Sequence, residues 1–137
     1  MNKFLVVFDT NVIVSALLAD EAESNELKLM EYVNLGIITP IFGKEIINEY
    51  KEVLSRKEFG FNKKSIGDMI ARFKKRGILI KPHKLELEFK DGSDLKFYEV
   101  VMEKKDKNAK LATGNIKDFP FDKRVVTPRE LLKLIER

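Results

Sequence analysis

The chain begins with an apolar run that stops abruptly at an acidic residue. Residues 4–8 are all apolar, and most are aromatic or β-branched. No polar residue alternates with them, so the run predicts a strand buried on both faces, as in the centre of a parallel sheet. The carboxyl ends of such strands form the edge at which open α/β sheets bind their ligands. The first residue at this predicted edge is Asp9.

Asp9 has two interpretations at this point. Residues 12–18 carry apolar side chains at helical spacing, and Asp is a preferred residue for capping the start of a helix. A carboxylate at the carboxyl end of a buried strand can instead belong to a functional site. The local pattern favours the cap, so a functional role has to rest on other residues that reach the same edge.

Strand and helix patterns alternate along the rest of the chain. Besides residues 12–18, helices are predicted over 21–35, 43–54, 63–76, 93–102 and 128–135, and strands over 37–41, 78–80, 109–112 and 124–127, with a possible edge strand over 85–89. Strands that alternate with helices predict a parallel sheet with right-handed crossovers. We therefore predict a three-layer α/β/α sandwich with a central parallel sheet, formed by residues 1–137 as a single domain.

Composition excludes several kinds of site. The 137 residues include no cysteine and one histidine, His83. Disulfides, thiolate metal sites and cysteine nucleophiles are therefore excluded, and a histidine triad or histidine-rich zinc site is not expected. A metal would need oxygen ligands. Because no apolar run is long enough for a transmembrane span or a secretory signal, we expect no membrane association and a cytoplasmic location.

The charge balance leaves nucleic-acid binding open. The chain has 26 Lys and Arg residues against 22 Asp and Glu, a net charge of +4, with basic clusters at 63–64 and 74–76. Basic clusters of this kind can contact phosphates. The cluster at 74–76 also ends a predicted helix, where cations complement the helix dipole. Both interpretations remain open.

Two further polar residues are predicted to lie at the same edge as Asp9. Asp94 opens the helix that follows the third predicted strand, and Asn115 follows the next strand in the turn formed by residues 113–115. Because the carboxyl ends of parallel strands all lie at one edge of a sheet, these side chains should lie near Asp9.

A fourth group comes from the predicted helix over residues 43–54, which offers Glu45, Glu49 and Glu52. At about 100° per residue, Glu49 lies at the border of the apolar face, while the other two lie farther toward water. Glu49 is therefore the acid that can point along the sheet edge.

Carboxylates together with amide and hydroxyl oxygens suit Mg²⁺ or Mn²⁺. These ions bind between protein carboxylates and substrate phosphates, where they polarise the phosphoryl group and activate water. Each residue alone has an ordinary explanation as a helix cap, a surface residue or a turn residue. Their convergence at one edge favours a metal site.

Five blocks of the chain also resemble a known family. They are VVFDTNVIVSALL, EIINEYKEVLSRKEF, DGSDLKFYEV, ATGNIKDFP and VVTPRELL. In this order they are similar to PIN-domain proteins, in particular to the VapC-like toxin components of toxin–antitoxin systems. The resemblance implies a PIN-like, Rossmann-like fold and an Mg²⁺- or Mn²⁺-dependent ribonuclease that cleaves single-stranded RNA. It also implies a homodimer and a cognate antitoxin as partner.

Position by position, the resemblance implies an acidic quartet of Asp9, Glu49, Asp94 and one residue within 106–109. Similar sequences have Asp where this chain has Asn108, and Asn115 is also often Asp. An amide can ligate a metal through its carbonyl oxygen but brings no charge. Asp106, two residues before Asn108, is the alternative ligand.

The resulting hypothesis gives each residue a role. Asp9, Asp94 and Asn115 would hold the cation, together with Asn108 or Asp106, and Glu49 would position or deprotonate the attacking water. Four residues would fix the carboxylates or contact phosphate: Thr10, Asn11, Ser93 and Thr113.

Two alternatives remain. Because Asn108 is uncharged, the chain could be a catalytically impaired PIN domain that acts by binding RNA or protein. The buried strand followed by Asp9 could also indicate a phosphohydrolase with an aspartyl-phosphate intermediate. That chemistry requires a second Asp two residues later, where this chain has Asn11.

Overall fold

The computed structural model describes residues 3–19 and 24–137. Within them, five parallel strands form a sheet in the order β3-β2-β1-β4-β5. The strands are β1 Phe4–Phe8, β2 Ile38–Phe42, β3 Ile78–Leu79, β4 Lys110–Ala112 and β5 Val125–Val126. The α-helices are α1 Thr10–Leu18, α2 Asn25–Asn34, α3 Lys44–Leu54, α4 Lys63–Arg76, α5 Leu95–Glu103 and α6 Pro128–Ile135. The predicted α/β sandwich with a central parallel sheet is confirmed.

Strand β1 lies at the centre of the sheet. It pairs in parallel with β2 on one side and β4 on the other, and Phe8 lies opposite Ala112. Val6, Val7 and Phe8 are fully buried, as expected for a strand covered on both faces. The next residue, Asp9, is therefore held at the middle of the carboxyl edge.

Local sequence signals account for several helix ends. The Asn62 side chain accepts a hydrogen bond from the Ser65 amide at the start of α4 (2.7 Å). Thr127 and Glu130 form a reciprocal capping box at the start of α6, as this spacing favours. Gly36, which follows α2, has φ +79°, a conformation that glycine adopts without steric cost.

Two predicted elements need comment. The second helix was predicted from residue 21, but residues 20–23 lie outside the described residues, and α2 begins at Asn25 after the capping side chain of Ser24. The edge strand predicted over 85–89 is wrong. The Leu85 amide donates instead to the buried Glu99 carboxylate (2.8 Å), and Phe89 packs against the core. The alternating pattern there reflects a loop anchored at two apolar residues.

In the part of the chain that the structure describes, no helix is long and apolar enough to cross a membrane.

Candidate active site

Asp9 is buried at the end of β1 and is held there by β4. Its amide donates to the Ala112 carbonyl (2.9 Å), and its carboxylate accepts a hydrogen bond from the Thr113 hydroxyl (2.7 Å). Asp9 occupies the position before α1, but its side chain forms no regular capping hydrogen bond. It is nevertheless the residue at the start of α1, as the capping interpretation expected, and its carboxyl accepts hydrogen bonds from the Thr10 and Asn11 backbone amides as well as from Thr113.

Burial raises the pKa of the Asp9 carboxyl, and the nearby charge of Glu49 raises it further. The Thr113 hydrogen bond acts in the opposite direction and lowers it. Asp9 is thus a largely desolvated acid whose neighbouring charge is also negative.

Thr113 connects Asp9 to the turn that follows β4. Its side chain is fully buried. The Thr113 hydroxyl accepts a hydrogen bond from the Asn115 amide (3.0 Å) and donates one to the Asp9 carboxylate. Asn115 lies at the carboxyl edge, as predicted, although it is exposed. It precedes a short 3-10 helix, Ile116–Asp118.

Glu49 reaches the same edge from α3. The hydroxyl of the buried Thr10 donates to one oxygen of the Glu49 carboxylate. The other oxygen lies 2.6 Å from the Lys96 ammonium group. Glu45 and Glu52 pair with surface cations instead. The position that the helical repeat predicted for Glu49 therefore agrees with its contacts.

Asp94 lies half-buried directly before α5. Burial, followed by the charges of four other carboxylates, raises the pKa of Asp94 to about 6. These carboxylates, in order of decreasing effect, are Asp9, Asp91, Asp118 and Glu49. The shift identifies a group of acids that lie within electrostatic reach of Asp94, although Lys96 pairs with one of them, Glu49.

Asp118 is a member of this group that the sequence did not reveal. The 3-10 helix after Asn115 turns the chain back toward Asp94, so the third residue after Asn115 also reaches the site. Asp118 is the aspartate of the ATGNIKDFP block, so the residue was present in a segment that the sequence had singled out. Since this chain has an amide at position 115, Asp118 is the acid in this segment whose charge contributes to the raised pKa of Asp94.

Asn108 and Asp106 lie at the opposite edge of the sheet, so their predicted place beside Asp9 is wrong. Both precede β4, which runs parallel to β1, with Lys110 opposite Val6. Asn108 comes five residues before Thr113, roughly 15 Å away at the rise of a β-strand. Its φ of 57° lies in the left-handed region, which Asn adopts more readily than most residues. A turn explains this asparagine.

Two predicted supporting residues contact members of the acidic group: Ser93 contacts Asp91, and Asn11 contacts Asp9. The Ser93 amide and hydroxyl both donate to Asp91 (2.9 and 2.7 Å), which holds the short 3-10 helix before α5. Asn11 is exposed on α1, and its backbone amide forms a hydrogen bond with the Asp9 carboxyl. It offers no acid for the phosphohydrolase alternative.

Lys96 is a second site residue that the sequence did not indicate. Besides Glu49, its ammonium contacts the Ser93 carbonyl oxygen and lies 5.0 Å from the centre of the Phe97 ring. Its side chain is only 14% exposed. A cation is therefore fixed beside the acidic group by the fold itself.

The donors suit a divalent cation in their chemistry. Asp9, Asp94, Asp118 and the Thr113 hydroxyl are hard oxygen ligands of the kind that Mg²⁺ and Mn²⁺ prefer. A cation would also neutralise the charges that raise the pKa of Asp94. Among the described residues, however, no three acidic or histidine side chains lie close enough to chelate one ion as they stand.

A comparison of the chain with models of known protein families identifies its family. The family model of the PIN domain matches residues 5–117. The chain belongs to the PIN domain family. The match begins in β1 and extends to the turn after β4, so it includes Asp9, Glu49 and Asp94. PIN domains are typically nucleases, and PIN nucleases generally use divalent metals. A search of curated proteins finds no match to this chain.

Proposed function

We propose that this PIN domain is an Mg²⁺- or Mn²⁺-dependent endoribonuclease that cleaves single-stranded RNA. The observation that carries the proposal is the gathering of carboxylates at the carboxyl edge, where burial and then the charges of the neighbouring acids raise the pKa of Asp94 to about 6. Unpaired negative charge destabilises a fold, so a cluster of this kind is better explained by a ligand than by stability.

In this proposal a metal ion would draw the carboxylates of Asp9, Asp94 and Asp118 together, because they do not lie within joint chelating distance as they stand, and Asn115 would be a neutral oxygen donor at the same edge. When bound, the ion supplies Lewis acidity to the phosphoryl oxygens and makes a neighbouring water a stronger acid. Thr113 holds the Asp9 carboxylate in one orientation through its hydrogen bond. This support resembles that of ligands in other metal sites, whose orientation is fixed by outer hydrogen bonds.

Glu49 would position the attacking water, as the sequence suggested. The Thr10 hydroxyl and the Lys96 ammonium fix the two oxygens of its carboxylate. Once RNA binds, the Lys96 ammonium can exchange part of its contact with Glu49 for a phosphate oxygen, because both are anionic acceptors. Lys96 would then counter the charge that builds up on the phosphate during cleavage.

We also propose that the protein is the toxin of a toxin–antitoxin pair that acts in the cytoplasm as a homodimer. This part rests on the similarity of the five sequence blocks to toxin components. Its test is growth arrest on expression of the wild-type chain, with normal growth for Asp9→Asn. Arrest by both chains, or by neither, would contradict it.

A second candidate is a PIN domain that binds RNA or protein without cleavage. Asn108 no longer supports it, since that residue lies at the opposite edge. Two other observations favour it. Lys96 already neutralises Glu49, and no three acids in the described part of the chain lie within joint chelating distance of one ion.

Cleavage of an unstructured RNA with Mg²⁺ or Mn²⁺ separates the two candidates. The wild-type chain should cleave, and Asp9→Asn should lose most of the activity. Asp106→Asn is the matched control, because it makes the same chemical change at an exposed residue on the opposite edge. Equal cleavage by all three chains would indicate a contaminant, and RNA binding without cleavage in either metal would favour the second candidate.

A further inference from the structure

Three cavities join into one groove across α3, α4 and β3. The first, about 400 Å³, lies between α3 and α4 and is lined by Lys51, Lys63 and Lys74. The second, about 460 Å³, shares Lys51 and Lys74 and adds Lys44. The third, about 420 Å³, shares Lys44 and adds Lys81 and Lys96. We call this surface the lysine groove, defined by these six lysines.

The helical repeat explains why the lysines align. Lys44 and Lys51 are seven residues apart, two turns of α3, and Lys63 and Lys74 are eleven residues apart, three turns of α4. Each pair therefore lies on one face of its helix. The two faces lie side by side because α3 packs against α4.

The groove ends at the acidic group. Lys96 lines its last cavity and also contacts the Glu49 carboxylate at 2.6 Å. A chain lying in the groove would therefore pass directly to the edge that carries Asp9 and Asp94. Groove and acidic group form one continuous surface.

Most of the charge in the groove is uncompensated. Among the residues that the structure describes, Glu45 is the one acid that lines any of the three cavities, and it pairs with Lys84 at 3.1 Å. Within residues 3–19 and 24–137, no carboxylate lies within salt-bridge distance of the five groove lysines other than Lys96. Five exposed cations on one path favour an extended polyanion.

Helix stability does not explain two of these lysines. Lys44 and Lys63 are the first residues of α3 and α4, where the positive end of the helix dipole disfavours a cation. Lys74, in contrast, lies in the last turn of α4, where the dipole favours it. Lys74 also lines two of the cavities, so its ammonium group can contact phosphate as well as stabilise the helix.

The groove contains an exposed apolar residue, and the single-stranded form of the polyanion is taken from the proposed function. Leu79 lines two of the cavities and is 66% exposed. Proteins that bind single strands without sequence preference combine a positive groove with aromatic side chains on which bases stack, and Leu79 offers an apolar surface without an aromatic ring. A duplex keeps its bases stacked inside and would leave Leu79 uncovered.

We propose that the lysine groove binds the phosphate backbone of single-stranded RNA on one side of the cleaved phosphate. The strand would run from the acidic group at Lys96, over Leu79 on β3, to Lys63 at the start of α4. This inference rests on the proposed function, because it assigns the path by which that substrate reaches the site.

The test measures binding without cleavage. A fluorescently labelled oligouridylate is titrated with the full chain in EDTA, and anisotropy is recorded between 50 and 300 mM salt, concentrations of about this range being those over which phosphate contacts are lost. Each phosphate contact on a single strand contributes about 0.7 to the slope of log affinity against log salt. Lys44→Ala with Lys81→Ala should therefore reduce the slope by about 1.4 and weaken binding roughly twentyfold at about 0.1 M salt.

The matched control is Lys105→Ala with Lys107→Ala, which removes two exposed lysines at the opposite edge of the sheet. It should bind nearly as the wild type does, and Lys44→Arg with Lys81→Arg should retain most of the affinity. An equal loss of RNA affinity in both alanine double variants would overturn the assignment of the lysine groove. Unchanged RNA affinity in both would overturn it too. Equal affinity for duplex RNA would overturn the single-stranded assignment. Groove-dependent binding of polyglutamate but not RNA would favour an acidic protein instead.

Failure of this inference differs from failure of the proposed function. A chain that cleaves RNA with no dependence on Lys44 and Lys81 would contradict the groove alone. A chain that binds RNA through the groove but never cleaves would contradict the nuclease alone.

Discussion

Replacing Asp94 with asparagine is expected to stabilise the fold at neutral pH. The folded-state pKa of Asp94 is about 6, above its ordinary value of 3.8, because of burial and the neighbouring carboxylates. Between these two values the folded protein binds more protons than the unfolded protein, so the free energy of unfolding falls as pH rises. This loss of unfolding free energy is complete above about pH 6 and absent below about pH 4. Asparagine removes the charge and should abolish this pH dependence.

The magnitude follows from the size of the pKa rise. For a fully buried carboxyl, a rise from 3.8 to about 6 corresponds to roughly 3 kcal/mol. Asp94 is only half-buried, and solvent screens its interactions with the other acids. We therefore expect Asp94→Asn to raise the free energy of unfolding by about 1 kcal/mol at pH 7.5, or a few degrees in Tm for a chain of this size.

The assay is urea unfolding followed by circular dichroism at pH 7.5 and pH 4, in buffer with a chelator. Asp106→Asn serves as control, because this exposed residue lies at the opposite edge, and its stability should stay within about 0.5 kcal/mol of wild type at both pH values. If Asp94→Asn is equally stable or less stable than wild type at pH 7.5, the acidic group is already compensated. The electrostatic argument for a cation site would then fail.

Three further predictions concern contacts of the site and its scaffold. Thr113→Val removes the hydrogen bonds to Asp9 and from Asn115, so it should cost about 1–3 kcal/mol in urea unfolding; an unchanged midpoint would show that these bonds add nothing. Lys96→Met removes the ammonium that competes for Glu49, so the affinity for Mn²⁺ in calorimetry should rise several-fold, and a fall would mean that Lys96 supports the metal site. Gly77→Ala would press a Cβ against the Pro40 carbonyl oxygen, so it should destabilise the fold by about 3 kcal/mol. Gly67→Ala, with open space around it, should not.

Sequence signals predicted the structure correctly where the deciding interactions act within a few residues. Asn62 and Gly77 define the two ends of α4, and Thr127 with Pro128 defines the start of α6, so these bounds agree with the prediction. The position of Asp9 followed from the uniform apolar character of β1. In each case the decisive interaction joins residues close in sequence or depends on burial alone.

The site residues that the sequence missed or misplaced depend on contacts between distant segments. Asp118 reaches the site through a 3-10 helix, and Lys96 reaches Glu49 through a long side chain; neither leaves a periodic pattern in the sequence. Asn108 was placed by analogy with similar sequences, although strand direction puts any residue that precedes a parallel strand at the opposite edge. That residues 1–137 form a single domain stays a prediction, as do the partners and the cytoplasmic location.

We propose that one divalent cation binds among Asp9, Asp94 and Asp118, whose carboxylates would have to move closer together to chelate it. Isothermal titration of the full chain with Mn²⁺ at pH 7.5 tests it most directly, with Asp118→Asn as the decisive variant and Asn108→Asp as its control at the opposite edge. We expect the wild type to bind Mn²⁺, Asp118→Asn to bind at least about tenfold more weakly, a loss of roughly 1.4 kcal/mol, and Asn108→Asp to bind as the wild type does. No binding by the wild type, or equal binding by Asp118→Asn, would contradict the account.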